Sequence, residues 1–257
     1  MCEMLAVAWE RPLPLARLVD RVCDLERWGL GGFGWGVAWQ TEDDAVRVER
    51  GLGRFQDEAL SRGDLLETTS TRFLVHLRRP NKLSTIQLAD TQPFPEDGGQ
   101  HAFCHNGFLE RAEELRASFA DQLGGGADSE VGWAFFKQQL AGGTSPENGL
   151  RAVDETFGGT LNMGYLDGTG SLLVYAHNKS NLMWQFGLTD GDVRGIAVST
   201  ALHSADETLF DVVFPDATHR RLVPLGMTLA VGTARDQDRN HEGPHGAAGV
   251  QHIRKHP

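Results

Sequence analysis

Met1-Cys2-Glu3-Met4-Leu5-Ala6-Val7-Ala8-Trp9 is the stretch on which the fold turns. An initiator methionine followed by a small side chain is the arrangement that aminopeptidases trim. Cys2 is therefore expected to become the first residue, with a thiol and a free α-amino group on one residue. An α-amine has a reference pKa of about 8 and a cysteine thiol of about 8.5, so near neutral pH the amine accepts the thiol proton, directly or through one water, and no histidine is needed. Glu3 to Ala8 is mainly apolar and reads as a first strand that anchors the terminus. A cysteine at position 2 is ordinary when taken alone, and the segments that follow give it weight.

Outward from that strand, Leu18, Val19, Val22, Cys23 and Leu25 recur at helical spacing between Arg17 and Trp28, and the glycines after Trp28 end the helix. Residues 34–39 and 45–50 read as a hairpin across 41–44, residues 55–67 as a polar helix or loop, and 72–78 as another strand. Pro80 to Gly99 is irregular. His101 to His105 reads as a short strand that stops at Asn106-Gly107, a dipeptide suited to positive backbone φ. Helices are predicted over 110–120, from an Asp128 N-cap through Leu140, and over 149–157, with Gly124-Gly125-Gly126 as a flexible loop. From Thr160 onward strands dominate, at 161–165, 172–176, 195–199 and 227–231. The turn residues at 167–170 and 189–192 are hairpin connections, which favours antiparallel sheets. One domain over residues 1–235, with two sheets and covering helices, is the simplest architecture, followed by a polar tail over 236–257.

Composition narrows the function. With 40% hydrophobic and 23% charged residues the chain is globular. A net charge of -11 with scattered Lys and Arg excludes a nucleic-acid partner. There is no apolar run of the roughly 20 residues a membrane helix needs and no signal-peptide layout, so a cytoplasmic location is expected. Cys2, Cys23 and Cys104 have no metal-ligand spacing and read as reduced thiols, with Cys23 buried. Gly29-Leu30-Gly31-Gly32-Phe33-Gly34 fits GxGxxG, but it follows a helix and precedes a strand, the reverse of the order that binds a pyrophosphate. His241-Glu242-Gly243-Pro244-His245 fits HExxH, but Gly-Pro breaks the helix that would align the imidazoles. Neither a metal nor a cofactor is expected.

The informative segments are His76-Leu77-Arg78-Arg79, Asn106-Gly107 and Asp128-Ser129-Glu130. With Cys2 they supply a thiol nucleophile, an oxyanion stabiliser, a guanidinium for a carboxylate and a carboxylate for an ammonium. An α-amino acid carries those two charges. A strand-end Arg78 suits an α-carboxylate, and Asp128 at a loop-to-helix boundary suits an α-ammonium. Asn106 and the Gly107 amide suit the oxygen that turns negative when a side-chain amide is attacked, worth ~3 kcal/mol in comparable sites. His76, two residues before Arg78, is grouped with the substrate-binding residues, and His76 and His105 are assigned hydrogen bonding over acid-base work, because the amine is already the base. Taken singly, Arg78 would be a surface ion-pair residue, Asp128 a helix cap and Asn106-Gly107 a turn.

These segments resemble the class II glutamine amidotransferases, N-terminal-nucleophile hydrolases, in the stand-alone subgroup with no fused synthetase. The landmarks stand in family order over about residues 2–235: Met-Cys at the start, Gly34-Trp35-Gly36, His76-Leu77-Arg78, Asp90-Thr91-Gln92-Pro93-Phe94, Phe103-Cys104-His105-Asn106-Gly107, Asp128-Ser129-Glu130 and Val198-Ser199-Thr200. The resemblance implies Cys2 as nucleophile, Arg78 on the glutamine α-carboxylate, Asn106 and Gly107 in the oxyanion hole, and Asp128 on the α-amino group. It also implies an α+β fold, a four-layer α-β-β-α sandwich of two antiparallel sheets. L-glutamine is the expected substrate, with a γ-glutamyl conjugate or a non-catalytic regulatory subunit as alternatives. The family often continues the Arg motif with small residues and Thr, whereas Arg79-Pro80-Asn81 follows here. No synthetase segment is recognisable, so a synthase partner protein is expected to receive the ammonia and to order the Pro80–Gly99 and Gly124–Gly126 loops over the pocket.

Overall fold

The computed structural model describes residues 2–204 and 207–232. Its strands are β1 (Glu3–Pro14), β2 (Trp35–Gln40), β3 (Val46–Gly51), β4 (Thr69–Leu77), β5 (Phe94–Pro95), β6 (His101–Leu109), β7 (Gly159–Asp167), β8 (Leu172–His177), β9 (Met183–Asp190), β10 (Val193–Thr200), β11 (Thr218–Leu222) and β12 (Met227–Ala230). The α-helices are α1 (Val19–Trp28), α2 (Phe55–Glu58), α3 (Gly63–Glu67), α4 (Ala112–Leu115), α5 (Asp128–Ala141), α6 (Pro146–Phe157) and α7 (Glu207–Val213). One sheet has the order β11-β9-β10-β1-β4-β2-β3 and the other β12-β8-β7-β6-β5. The pairings within both are antiparallel.

β1 is the central strand of the larger sheet, and its alternation explains the layering. Leu5, Val7 and Trp9 join a core with α1, α2 and α7 on the outer face. Met4, Ala6 and Ala8 face the second sheet. A strand buried on both faces has no polar alternation, which is why residues 3–8 read as a continuous apolar run. The second sheet packs its other face, with Phe103, Leu161 and Tyr165, against α5 and α6. The result is the four-layer α-β-β-α sandwich. The inter-sheet layer is built from small side chains, Ala6, Ala8, Ala38, Ala102 and Ala176 among them. At its closest point only glycine fits: a Cβ on Gly164 would stand 2.7 Å from Leu74 and 2.8 Å from the Met4 sulfur.

Several local expectations change. β6 does not stop at Asn106-Gly107 but runs through both to Leu109, still paired with β7. The helix expected over 110–120 is one α-turn, α4, continued as a 3-10 segment, Arg116–Gln122. Asp128 is the first residue of α5; the N-cap is Ala127 and no side chain caps this helix. Cys23 is half-buried, not buried, and the cysteines are free thiols. The glycine run is pinned, not loose: Gly124 and Gly125 donate to the Glu130 carboxylate at 2.6 and 2.9 Å, the Ala127 N–H donates to Asp90 at 2.7 Å, and Arg116 donates to the carbonyls of Gly125, Gly126 and Ala127. The 80–99 stretch is likewise tied down, by two 3-10 turns, by β5 and by Arg50, which donates to the carbonyls of Leu88 and Thr91 at 3.1 and 2.8 Å. The 236–257 tail and its HExxH match lie outside the described residues.

Candidate active site

The antiparallel pairing of β1 with β4 sets Glu3 opposite Leu77, so Cys2 emerges beside Arg78 where both strands end. Alternation turns Cys2, like Met4, toward the second sheet. From there β6 brings Asn106, whose Nδ2 donates to the Cys2 carbonyl oxygen. The Arg79 backbone N–H donates to Cys2 Sγ at 3.3 Å. Burial pushes the Cys2 thiol above its ordinary value, with the Arg79 amide and the Arg78 charge pulling the other way. A thiol held high needs a base at hand.

A pocket of about 100 Å³ opens beside Cys2, with Arg78, Thr85, His105, Gly107 and Asp128 among its walls. Arg78 is 4% exposed. Its Nη2 donates to Thr85 Oγ1 at 2.8 Å, while Nη1 is buried without a partner among the described residues. A guanidinium with one arm anchored and the other idle is poised for a carboxylate, because a buried donor left unpaired costs ~1–3 kcal/mol. Asp128 anchors one carboxylate oxygen on the Leu109 N–H at 2.8 Å. The two opposite charges therefore line one pocket, each fixed by a neighbour. Gly107 has φ +147, and a Cβ there would lie 1.7 Å from the Thr160 carbonyl oxygen, so only glycine is tolerated.

Of the residues expected from sequence, the pocket brings together Cys2, Arg78, Gly107 and Asp128. Asn106 is fully buried behind Cys2, not on the pocket wall. His76 is the correction. It lies in β4 opposite Met4 and Gly36, fully buried, with neither ring nitrogen hydrogen-bonded among the described residues. Burial, with Arg78 adding to it, drives its pKa down to about 3, so it is a neutral ring under the site and not a substrate contact. His105 does line the pocket; its Nδ1 pairs with Ser129 Oγ at 2.9 Å and its N–H donates to Gln92 Oε1 at 2.6 Å.

Sequence reading missed a polar cluster on the other side of Cys2. Asn181 Nδ2 is 3.4 Å from the Cys2 carbonyl oxygen and 3.3 Å from Glu3 Oε2. Thr200 Oγ1 donates to the same Glu3 oxygen, and His203 lies 3.5 Å from the other. Burial raises Glu3 to about 7 against the hydrogen bonds from Thr200 and Asn181. The only signal for any of these was Thr200, in the late Val198-Ser199-Thr200 landmark.

Among the described residues no helix is long and apolar enough to cross a membrane, and no three His, Cys, Asp or Glu side chains are grouped to hold a metal ion. No protein-family model and no curated protein matches the sequence. Solved structures do match. Glutamine phosphoribosylpyrophosphate amidotransferase from B. subtilis, complexed with ADP and GMP, aligns with a TM-score of 0.65 at 19% identity, over 89% of this chain and 47% of that one. A glutamine aminotransferase class-II domain protein from Silicibacter pomeroyi gives 0.58 at 16% identity, over 90% and 95% of the two chains. A predicted glutamine amidotransferase from Pseudomonas aeruginosa gives 0.51 at 17%, over 90% and 97%. The chain thus spans about half the length of the first and nearly all of the other two. The sandwich is the fold of these class II glutamine amidotransferases, the family whose motifs the sequence resembles.

Proposed function

We propose that the protein hydrolyses the side-chain amide of L-glutamine to glutamate and ammonia, with Cys2 as nucleophile once Met1 is removed. The observation that carries this reading is the idle, buried Nη1 of Arg78 in the same pocket that Asp128 and Cys2 line. Arg78 receives the α-carboxylate and Asp128 the α-ammonium, so the γ-amide is presented to the thiol. The Cys2 α-amine takes the thiol proton, and the thiolate attacks the amide carbon. The Gly107 N–H, on the pocket wall, stabilises the oxyanion, and Asn106 supports it from behind by holding the Cys2 carbonyl. The α-ammonium returns a proton to departing ammonia, and water then clears the γ-glutamyl thioester.

A γ-glutamyl conjugate fits the same clamp. Phe108, 51% exposed on the pocket wall, together with Arg79 and Lys82, offers an apolar and cationic mouth for a larger leaving group. With ammonia as the product, a synthase partner is the natural acceptor.

The test is turnover of L-glutamine beside a panel of γ-glutamyl amides, with intact mass reporting loss of Met1. Cys2→Ser is expected to abolish release of glutamate from every member. Full activity in a form that retains Met1 would end the α-amine mechanism, because an amide nitrogen is no base, and a folded, processed chain inert toward the whole panel would favour a binding subunit.

A further inference from the structure

The polar cluster beside Cys2 is not used by the proposed reaction, and its hydrogen bonds do not all close. Asn181 Oδ1 accepts the backbone N–H groups of Ala201 at 3.0 Å and His203 at 3.1 Å, which fixes the orientation of the amide. Its Nδ2 then faces three acceptors: His203 Nε2 at 2.9 Å, Glu3 Oε2 at 3.3 Å and the Cys2 carbonyl oxygen at 3.4 Å. An amide nitrogen has only two hydrogens. His203 Nε2 must also be unprotonated to accept one. Glu3 Oε1, buried and 3.5 Å from that same nitrogen, consequently has no side-chain donor, and the carboxyl's remaining contact is the Leu202 backbone N–H. Leu202 and His203 are held at φ +59 and +53, a left-handed conformation that side-chain-bearing residues rarely adopt. Such strain persists only where the surroundings enforce it, and here it brings the imidazole onto Glu3.

We propose that Glu3, Asn181 and His203 are positioning residues for Cys2 that act through one movable proton. With His203 neutral, Asn181 spends one hydrogen on the imidazole, and its second is divided between Glu3 and Cys2. When the pair takes a proton from solvent, Glu3 Oε1 holds it and donates to His203 Nε2, which releases Asn181. Both amide hydrogens then go to Glu3 Oε2 and the Cys2 carbonyl, so the backbone carrying the thiol is held on both sides, by Asn181 and Asn106. Burial raises the Glu3 carboxyl to about 7 and lowers His203 below its ordinary value, which makes Glu3 the better base of the two. The other charged or titratable groups facing the pair are Arg79 and the chain's amino terminus, which oppose protonation of His203, and the Cys2 thiol beside Glu3.

The inference rests on Cys2 as the nucleophile, and its test does not require turnover. Wild type, Glu3→Gln and His203→Gln, each confirmed by mass to lack Met1, are alkylated with iodoacetamide across about pH 5 to 9. The rate is read on the N-terminal peptide, so that Cys23 and Cys104 do not contribute, and each protein is melted to establish that it is folded. The wild-type profile is expected to show an inflection near neutrality in addition to those of the thiol and its α-amine, since interacting groups titrate as a unit. Both variants are expected to lose that inflection and keep the other two, with Glu3→Gln about threefold faster above neutrality, where wild type carries a negative charge beside the thiol. Its absence from wild type, or its survival in a folded variant, overturns the proposal. Should His203→Gln not fold, wild type and Glu3→Gln decide. The inflection in a protein inert toward glutamine and its conjugates would refute the activity and keep the positioning set, and an active protein without it would do the reverse.

Discussion

His76 gives the most quantitative prediction. The ring is fully buried between the sheets, neither nitrogen is hydrogen-bonded among the described residues, and its folded pKa is depressed to about 3. A depressed histidine pKa means that the unfolded chain binds a proton the folded chain refuses. Stability is then fully present above the unfolded value of about 6.5 and is lost as pH falls toward about 3. Integrating that difference, His76 alone removes about 2 kcal/mol between pH 7 and pH 5, and about 3 kcal/mol by pH 4. The figure at pH 5 is nearly independent of the exact folded value; it requires only that the folded ring be neutral. Against a total of ~5–15 kcal/mol for a domain, this is a large share. The assay is urea unfolding followed by tryptophan fluorescence at pH 7, 6, 5 and 4, for wild type and His76→Asn. The substitution lowers stability at every pH through lost packing, but that offset cancels when slopes are compared, as do other titrations common to both proteins, including Glu3, whose raised pKa acts in the opposite direction. The variant should lose about 2 kcal/mol less than wild type between pH 7 and pH 5. Parallel curves would refute the reasoning and mean that the folded ring is protonated.

Gly107→Ala should reduce kcat by about 100-fold or more, because relieving a Cβ placed 1.7 Å from the Thr160 oxygen must move the amide proposed to receive the oxyanion; wild-type kinetics would remove Gly107 from the site. Arg78→Lys keeps the charge but loses the two-armed geometry, so KM for glutamine should rise about 30-fold, equivalent to ~2 kcal/mol, with a smaller effect on kcat. An unchanged KM would place the α-carboxylate elsewhere. Asp128→Asn should weaken binding of glutamine more than that of its analogue lacking the α-amino group, and equal losses on the two would deny the carboxylate its ammonium partner.

What the sequence exposed and what it hid follow from where the interactions lie. β1 was legible because its doubly buried part, Met4 to Trp9, is apolar at every position, and the hairpins were legible from their turn residues. β11 is an edge strand whose Arg221 is exposed, where charge guards against further pairing, while Arg220 turns back to pair with Glu207 and Asp211 over the Trp184 and Phe210 rings. β9 lost its alternation to Gly187, which is there to admit the Thr218 side chain from β11; a Cβ would sit 2.6 Å from Thr218 Oγ1. The glycine run looked flexible because Glu130, Asp90 and Arg116, which pin it, leave no local pattern. Asn181 and His203 were invisible for the same reason, being joined to Glu3 across nearly the whole chain.

His76 and Arg78 show most clearly why adjacency misled. At two residues apart they lie on the same face of β4, and alternation alone cannot separate them. Depth does. Each strand residue advances about 3.3 Å, so His76 lies about 6.6 Å further into the inter-sheet layer. There Met4 and Gly36 flank it on the neighbouring strands. Arg78 lies just beyond the last residue of β4, where the backbone leaves the sheet and the wall opens. The inter-sheet layer, packed with Met4, Leu74, Leu166 and Met183 among alanines and closed by Gly164, has no room for a substrate along its length. The pocket opens where β1 and β4 stop. Cys2 and Arg78 reach it from those strand ends and Asp128 from the start of α5, while His105 and Gly107 line it from within β6, which continues past it to Leu109; His76 lies one pleat too deep in β4.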